Sequence, residues 1–493
     1  MIGLGRHTQD VYFPVLERNE VTPRIGCVIE VESRAAETER FLATQSLKPE
    51  RVVYLSEADA AKLNTGQVTL LAEIVARHGI TGAIIATPPE RHLDYALWAA
   101  SLGLHILVDK PLTTRERVLY DESEAEGLVS DYQLLLDAIA ARPPDQRGVC
   151  LISTQRRYHP AWLRMRALIS EITDRTGCPV TSINAEYSDG EWRLPHDVLN
   201  QHYHPYMLGF GILSHSGYHL IDSVIHLIRA GVRPEKPADT LAVSTLVVRP
   251  VEQLSQIGFA DYRHLFGAPA FDARNNFDEL TYRTLAAPAG EMDAFCTAQI
   301  RRGGDTMTTA TIQLQHNSFC HRGWVDTGGQ NLYQGNGRLR HESYTIRQGP
   351  FQLIRFLSFQ ASKATEAHIP ETGPGGKNHV ELQVFRNRAF FGDDDMFRRY
   401  EFADLDLELS VLGSHLESAK RLMMREFLDL VHGVTTSVAS GLRDHDASIR
   451  FLSAMYRSAA RHLAGQPGLV EFPFTLERSS DRAQRNRADM GVA

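Results

Sequence analysis

Four short apolar runs lie between Ile25 and Val108: Ile25-Gly26-Cys27-Val28-Ile29, Arg51-Val52-Val53-Tyr54-Leu55, Gly82-Ala83-Ile84-Ile85-Ala86-Thr87 and His105-Ile106-Leu107-Val108. Helical stretches separate them, and Glu90 to Leu102 has the right length for a crossover helix. Continuous apolar strands of this length are buried on both faces, so the pattern predicts a parallel sheet with helices on each side. That is the doubly wound α/β class. Residues 114–141 read as one helix whose acidic patch (Asp121, Glu122, Glu124, Glu126, Asp131) is a solvated face. Arg142-Pro143-Pro144-Asp145 is a linker, after which Cys150-Leu151-Ile152-Ser153 resumes a strand.

From about residue 240 to 410 the pattern turns to β-like alternation, as in Leu241 to Val248. Turn signals such as Gly328-Gly329 and Gly335-Asn336-Gly337 interrupt it. This predicts a large, open, mainly antiparallel sheet. Residues 421–465 read as helical and the stretch from Glu477 on as a polar tail. The expected organisation is a dinucleotide-type domain over 1–148, an α+β domain over 149–476 and a flexible tail over 477–493.

Composition narrows the function classes. Of 493 residues, 43% are hydrophobic and 23% charged, which fits a globular protein and excludes a disordered or fibrous one. Fifty-two basic against 60 acidic residues leave a net charge of −8, so there is no footprint for nucleic acid or an anionic membrane. No apolar run approaches the roughly 18 residues of a spanning helix. The five cysteines (Cys27, Cys150, Cys178, Cys296, Cys320) are scattered and odd in number, which argues against a disulfide framework or a structural zinc site. A cytoplasmic location is the default expectation.

The chain opens Met1-Ile2-Gly3-Leu4-Gly5-Arg6-His7-Thr8, an incomplete Gly-x-Gly-x-x-Gly with Thr8 at the third position. Such a loop supplies a tight turn, close backbone approach and a helix N-terminus for a pyrophosphate. Gly3, Gly5, Arg6, His7 and Thr8 are therefore expected at the cofactor. Glu30 ends the next strand and can accept hydrogen bonds from a ribose hydroxyl. That favours NAD, while nearby Arg34 leaves NADP open. Only two residues precede Gly3, where a strand of about five or six is usual. Either the first strand is abbreviated or the start lies upstream. Thr87-Pro88-Pro89 and Asp109-Lys110-Pro111 end the third and fourth runs at the edge where cofactors lie. A lysine there can stabilise an alkoxide.

Ala86-Thr87-Pro88-Pro89-Glu90-Arg91-His92, followed by Gly103-Leu104-His105-Ile106-Leu107-Val108-Asp109-Lys110-Pro111-Leu112, resembles the signature of the glucose–fructose oxidoreductase / inositol dehydrogenase / MocA family. The family usually has Glu-Lys-Pro, and Asp109 departs from it. Gln155-Arg156-Arg157-Tyr158-His159-Pro160 and Gly209-Phe210-Gly211-Ile212-Leu213-Ser214-His215-Ser216-Gly217-Tyr218-His219-Leu220-Ile221-Asp222 resemble two further family segments, and Met455 to Ala460 with Val470 resembles its closing helix and strand. The resemblance implies a Rossmann domain, a second domain with an open antiparallel sheet, NAD(P) and redox chemistry on sugars, cyclitols or polyols. It carries the catalytic roles to Lys110 and His219, and places Thr87, Pro88, His92, Asp109 and Lys110 itself at the cofactor. It also implies pairing of sheet faces into a homo-oligomer, dimer or tetramer. His215 stands where the family has an aspartate, which puts substrate choice and the proton path in question.

Six histidines (His196, His202, His204, His215, His219, His226) crowd one short stretch of the chain. A metal site, hydrogen bonding to a polyhydroxylated or anionic substrate, and structural burial are all open readings of them. No carboxylate or thiol completes a ligand set, so no metal is expected. Substrate contacts are expected from His215, Arg157, Tyr203, His204 and Trp192. Rival functions are an NAD-assisted reaction without net redox (glycosidic cleavage or epimerisation), a metal-dependent hydrolase or lyase, and a non-catalytic NAD-binding sensor.

Overall fold

The computed structural model describes residues 1–17, 23–188, 193–201, 204–316, 339–361, 368–392, 395–405 and 415–478. The turns expected at 328–329 and 335–337, Cys320 and all but two residues of the expected tail lie outside these.

The four runs form parallel strands β1 (Val28–Val31), β2 (Val52–Leu55), β3 (Gly82–Ile85) and β4 (His105–Val108), joined by β5 (Cys150–Ile152). The opening residues close the sheet between β1 and β3. The Ile2 amide donates to the Ile84 carbonyl and the Gly3 amide to the Ile29 carbonyl, while Ile29 and Ala86 donate back to Met1 and Ile2. The order is therefore β2–β1–(Met1–Gly3)–β3–β4–β5, a doubly wound sheet whose central strand is three residues long. These bonds pair the opening residues with both neighbouring strands.

Alternation along the strands splits the core into two faces. Ile2, Ile29, Ile85, Ile106 and Val108 face the large common core. Leu4, Val28, Ile84, Leu107 and Leu151 face a second cluster, with Tyr12 and Phe13 of the opening helix. That second face is completed from the far end of the chain. Helix His415–Val431 lays Ala419, Met423, Met424, Phe427 and Leu428 onto it.

The remaining strands are β6 (Ser182–Ser188), β7 (Thr240–Val248), β8 (Asp293–Arg302), β9 (Asp305–Gln315), β10 (Leu339–Gln348), β11 (Gln352–Ala361), β12 (Glu381–Arg386), β13 (Phe397–Glu401) and β14 (Val470–Pro473). They form one sheet in the order β13–β12–β11–β10–β6–β9–β8–β7–β14. Only β6 and β9 run parallel; the other neighbours are antiparallel, as the alternation predicts.

Two local expectations change. The region after β7 is not continuous sheet: four short helices occupy Pro250–Gln253, Phe259–Phe266, Ala268–Arg274 and Glu279–Leu285. Phe259 and Tyr262, three apart on one helix, pack with Phe271 and Tyr282 of the next two in a separate small core, which overrides the strand reading. The helix expected over 114–141 begins only at Glu122, capped by Asp121, whose side chain accepts from the Ser123 amide. Its acidic residues are not simply solvated either. Glu122 holds Arg457 and Arg461, and buried Asp131 holds Thr113 and Arg115.

Candidate active site

The opening loop has the shape a dinucleotide needs. Gly3 adopts φ +85°, and a Cβ there would sit 2.6 Å from the Ala86 carbonyl oxygen, so only glycine lets the loop pass this close to β3. Thr8 Oγ1 donates to the Gly3 carbonyl at 2.9 Å, closing the turn from within, and Thr8 is fully buried. The third glycine's place is thus taken by a residue that braces the loop. A π-helical turn spans Thr8–Tyr12 directly after it.

Glu30 is buried beneath this loop. Its Oε2 accepts the Leu4 amide at 2.7 Å, and Oε1 accepts the Val31 amide at 2.9 Å. Arg34 Nη1 lies 3.6 Å from Oε2 and also pairs with Glu37. Glu30 therefore tethers the glycine loop, and Arg34 is the more exposed group beside it. Across the edge, Thr87 Oγ1 is buried with no hydrogen-bond partner among the described residues, a polar atom left over for a ligand. Arg6 and Pro88 are exposed. His92 is buried and bridges the two strand ends, with Nδ1 2.7 Å from the Pro111 carbonyl and Nε2 2.9 Å from that of Thr87. The glycine cradle, the leftover hydroxyl and the helix N-terminus together fit a dinucleotide.

Lys110 and His219 come from different elements of the fold, and the Lys110 charge reaches the His219 ring. Lys110 follows β4, and its Nζ donates to the backbone carbonyl of His215 at 2.7 Å. His219 lies on helix Gly217–Ala230, in which every other residue is buried. His219 alone is partly exposed. Its Nδ1 is buried with no hydrogen-bond partner among the described residues. Burial pushes the imidazole well below its ordinary 6.5, and the charges of Arg156, Lys110 and Lys420 push it further down. It is a neutral base held beside a cation.

Asp109 sits at the junction. Burial raises its carboxyl, but His7, Lys110 and His92 outweigh this and hold it below the usual range. It accepts the Lys110 amide at 2.9 Å, and its Oδ2 lies 3.9 Å from His7 Nε2. Burial, helped by Lys420, lowers His7 to about 4. Lys420 belongs to helix His415–Val431, near the opposite end of the sequence, and no local signal points to it.

The histidine cluster disperses. His215 is buried, and its ring stacks on His204 at 4.4 Å and 12°, with His316 beyond at 6.1 Å. Tyr206 and Phe210 present their edges to it. Its carbonyl, rather than its ring, is what meets Lys110. His196 contacts Asn200, and His226 is buried in the interior. His202, Tyr203 and Trp192 lie outside the described residues. Among the described residues, no group of three or more His, Cys, Asp and Glu side chains is placed to hold a metal.

Arg157 departs from the substrate contact expected of it. Nε and Nη2 form a bidentate pair with Asp222 at 2.9 and 2.7 Å, and Nη1 donates to the Ala439 carbonyl at 3.2 Å. With both groups buried, the guanidinium faces the interior and fixes helix 217–230 to the segment before helix 446–463. Arg156 likewise pairs bidentately with buried Glu342. These partners, 65 and 186 residues distant, carry no spacing a sequence reader could use.

Residues 1–125 match the model of an oxidoreductase family described by its NAD-binding Rossmann fold (GFO_IDH_MocA). Solved structures with the same fold include a levoglucosan dehydrogenase in complex with NADH and levoglucosan (16% identity, TM-score 0.54, 96% of this chain and 98% of that one). An Agrobacterium radiobacter oxidoreductase in complex with NAD+, L-tartaric acid and magnesium is similar at 14% identity (TM-score 0.55, 96% of each chain). An aldose-aldose oxidoreductase from Caulobacter crescentus complexed with glycerol is similar at 12% identity (TM-score 0.53, 96% and 98%). No curated protein matches the sequence.

Proposed function

Residues 1–125 belong to the oxidoreductase family with an NAD-binding Rossmann fold, and from that premise we propose that this protein is an NAD-dependent dehydrogenase acting on a hydroxyl carbon of a sugar, cyclitol or related polyol. The observation that carries the reading is the convergence of Lys110 and His219 beside the glycine-loop edge of the parallel sheet. The similar folds solved with NADH and levoglucosan, and with glycerol, support the substrate class.

Bound NAD supplies the nicotinamide carbon that takes up hydride from the substrate. The chain supplies the proton path and the charge. Lys110, held by the His215 carbonyl, presents an ammonium to the substrate oxygen and stabilises the alkoxide as it develops. His219 is neutral above its depressed pKa and accepts the hydroxyl proton at Nε2, since Nδ1 is buried. The buried Arg157–Asp222 pair fixes the helix that carries this base. Gly3, Gly5, Arg6, His7 and Thr8 form the pyrophosphate turn, with Thr87, Pro88, His92 and Asp109 along the facing edge. NADP remains the alternative cofactor, with Arg34 the group that would meet its phosphate. Substrate contacts are assigned to His204 and His215, with Tyr203 and Trp192 on the adjoining segments. The division into 1–148 and 149–476, a cytoplasmic location and a homo-oligomer belong to the same proposal.

The test is NAD reduction followed by absorbance over a panel of sugars, cyclitols and polyols. Turnover by the wild type and none by Lys110→Met supports the reading. NADH binding without turnover on any member would instead favour a sensor. Slow product formation without net NADH would favour a reaction of the non-net-redox kind.

A further inference from the structure

Glu291 lies between helix Glu279–Leu285 and β8 and is fully buried. Its Oε1 accepts the Leu213 amide at 2.9 Å and the Tyr456 hydroxyl at 3.1 Å. Its Oε2 is buried with no hydrogen-bond partner among the described residues. Tyr456 continues the chain of contacts to Ser214 Oγ at 2.7 Å, and Ser214 to Thr114 Oγ1 at 2.9 Å. Thr114 stands four residues after Lys110, and Ser214 one residue before His215. The backbone adds to the clamp: the Ile212 amide donates to the Glu291 carbonyl at 3.0 Å. A Cβ on Gly211 would lie 1.8 Å from that same oxygen, so the loop is pressed against residue 291 with no room to spare.

We propose that Glu291 is a positioning residue for Lys110, setting the depth of the Gly209–Ser216 loop and so the place of the His215 carbonyl that holds the Lys110 ammonium. The proposal rests on the reading of Lys110 as the reacting-site lysine. Two arms leave Glu291, one directly through Leu213 and one through Tyr456, Ser214 and Thr114. They reach both sides of the Lys110–His215 contact. A buried acid that served packing alone would not need its hydrogen bonds to end on the two segments that flank one lysine.

Burial also pushes the Glu291 carboxyl up to about 7, so it changes charge near neutrality. The groups that face it are the Tyr456 hydroxyl from helix 446–463 and the amides of Leu213, Gly211 and Glu291 itself. Tyr120 faces it from the segment before helix 122–140 and donates to the Ala287 and Ala289 carbonyls. No cation is among these. When Glu291 ionises, its hydrogen bonds to Leu213 and Tyr456 strengthen, which draws the loop with its His215 carbonyl towards the Lys110 ammonium and favours the charged lysine.

Reductive methylation of Lys110 with formaldehyde and cyanoborohydride, on the full chain and read by peptide mass spectrometry from pH 5.5 to 9, tests this without a substrate. The rate should rise with unit slope at low pH. Above about 7 it should fall roughly threefold below that line, which is an increase of about half a unit in the lysine pKa. In Glu291→Gln the break should vanish. In Tyr456→Phe, which keeps the carboxyl but removes a donor, the break should move to higher pH. Profiles that superimpose on the wild type in both variants overturn the proposal, as does a wild-type profile without a break. Should Glu291→Gln fail to fold, Tyr456→Phe decides alone by whether its break moves. A purely structural Glu291 would lower thermal stability and leave the Lys110 profile unchanged. Because labelling needs no turnover, absence of dehydrogenase activity would count against the functional reading and leave this result intact.

Discussion

The Lys110 ammonium donates to the backbone carbonyl of His215 at 2.7 Å, across 105 residues of sequence. One partner ends a strand of the parallel sheet. The other belongs to the loop that opens helix 217–230. A carbonyl can only accept, so the contact favours the protonated lysine.

Replacing Lys110 with methionine keeps the stem and removes this ammonium. Steady-state NAD reduction should fall by at least about a thousandfold, since removing one preorganised donor to a developing oxyanion costs on the order of 10²–10³ and the proton-relay geometry is lost with it. NADH affinity, measured by fluorescence titration, should stay within about threefold, because the glycine loop does not depend on this side chain. Undiminished turnover would remove Lys110 from the chemistry.

His219 sets the acid limb of activity. Burial and three nearby cations hold it well below 6.5, so it is already deprotonated at neutral pH. The pH profile of kcat/KM, recorded in Glu291→Gln so that the buried carboxyl does not titrate, should be flat from pH 8 to 6 and fall only at lower pH. A limb centred at 6.5 would show an unperturbed imidazole.

Glu30 holds the loop through the Leu4 amide. A hydrogen bond to a charged group contributes about 1.5–3 kcal/mol, so Glu30→Ala should weaken NADH binding by about ten- to a hundredfold. The measurement is fluorescence titration with NADH and NADPH in parallel. With the carboxylate gone and Arg34 retained, the ratio of the two affinities should shift towards NADPH.

The Arg157–Asp222 pair is a stability element. Arg157→Ala takes the guanidinium from the buried Asp222 carboxylate, leaving it only Ser448 and the His445 ring, and should cost about 3–5 kcal/mol, read as a large drop in the thermal midpoint. The paired Asp222 carboxyl lies well below its ordinary 3.8. A depressed folded-state value means the stabilisation is present above the unfolded pKa and is lost as pH falls through the folded one. Four histidines act at higher pH. His7 and His445 sit at about 4, and His204 and His219 lie well below 6.5, so the unfolded chain binds protons the folded one does not. Stability should therefore decline as pH drops below about 6.5, by about 1.4 kcal/mol per pH unit for each such group. Thermal midpoints from pH 8 to 4 check both the wild-type slope and its onset.

By itself the sequence determined the doubly wound sheet, its strand ends and the glycine turn. These are properties of local period and of motifs a few residues long, where apolar alternation and glycine or proline constrain the backbone directly. The residues before the glycine turn bond to the strands on either side of them. Only the tertiary structure decided which polar groups meet. Arg157 looked like a substrate ligand and is an interior partner of Asp222. His215 looked like a replacement for an acid and offers its carbonyl. Lys420 and Glu291 had no signal at all. The buried cost of an unpaired charge or donor is settled by whichever partner the fold brings near. With partners as far apart in the chain as Arg157 and Asp222, or Arg156 and Glu342, that choice belongs to the packing of helices and sheets on one another, and no local pattern encodes it.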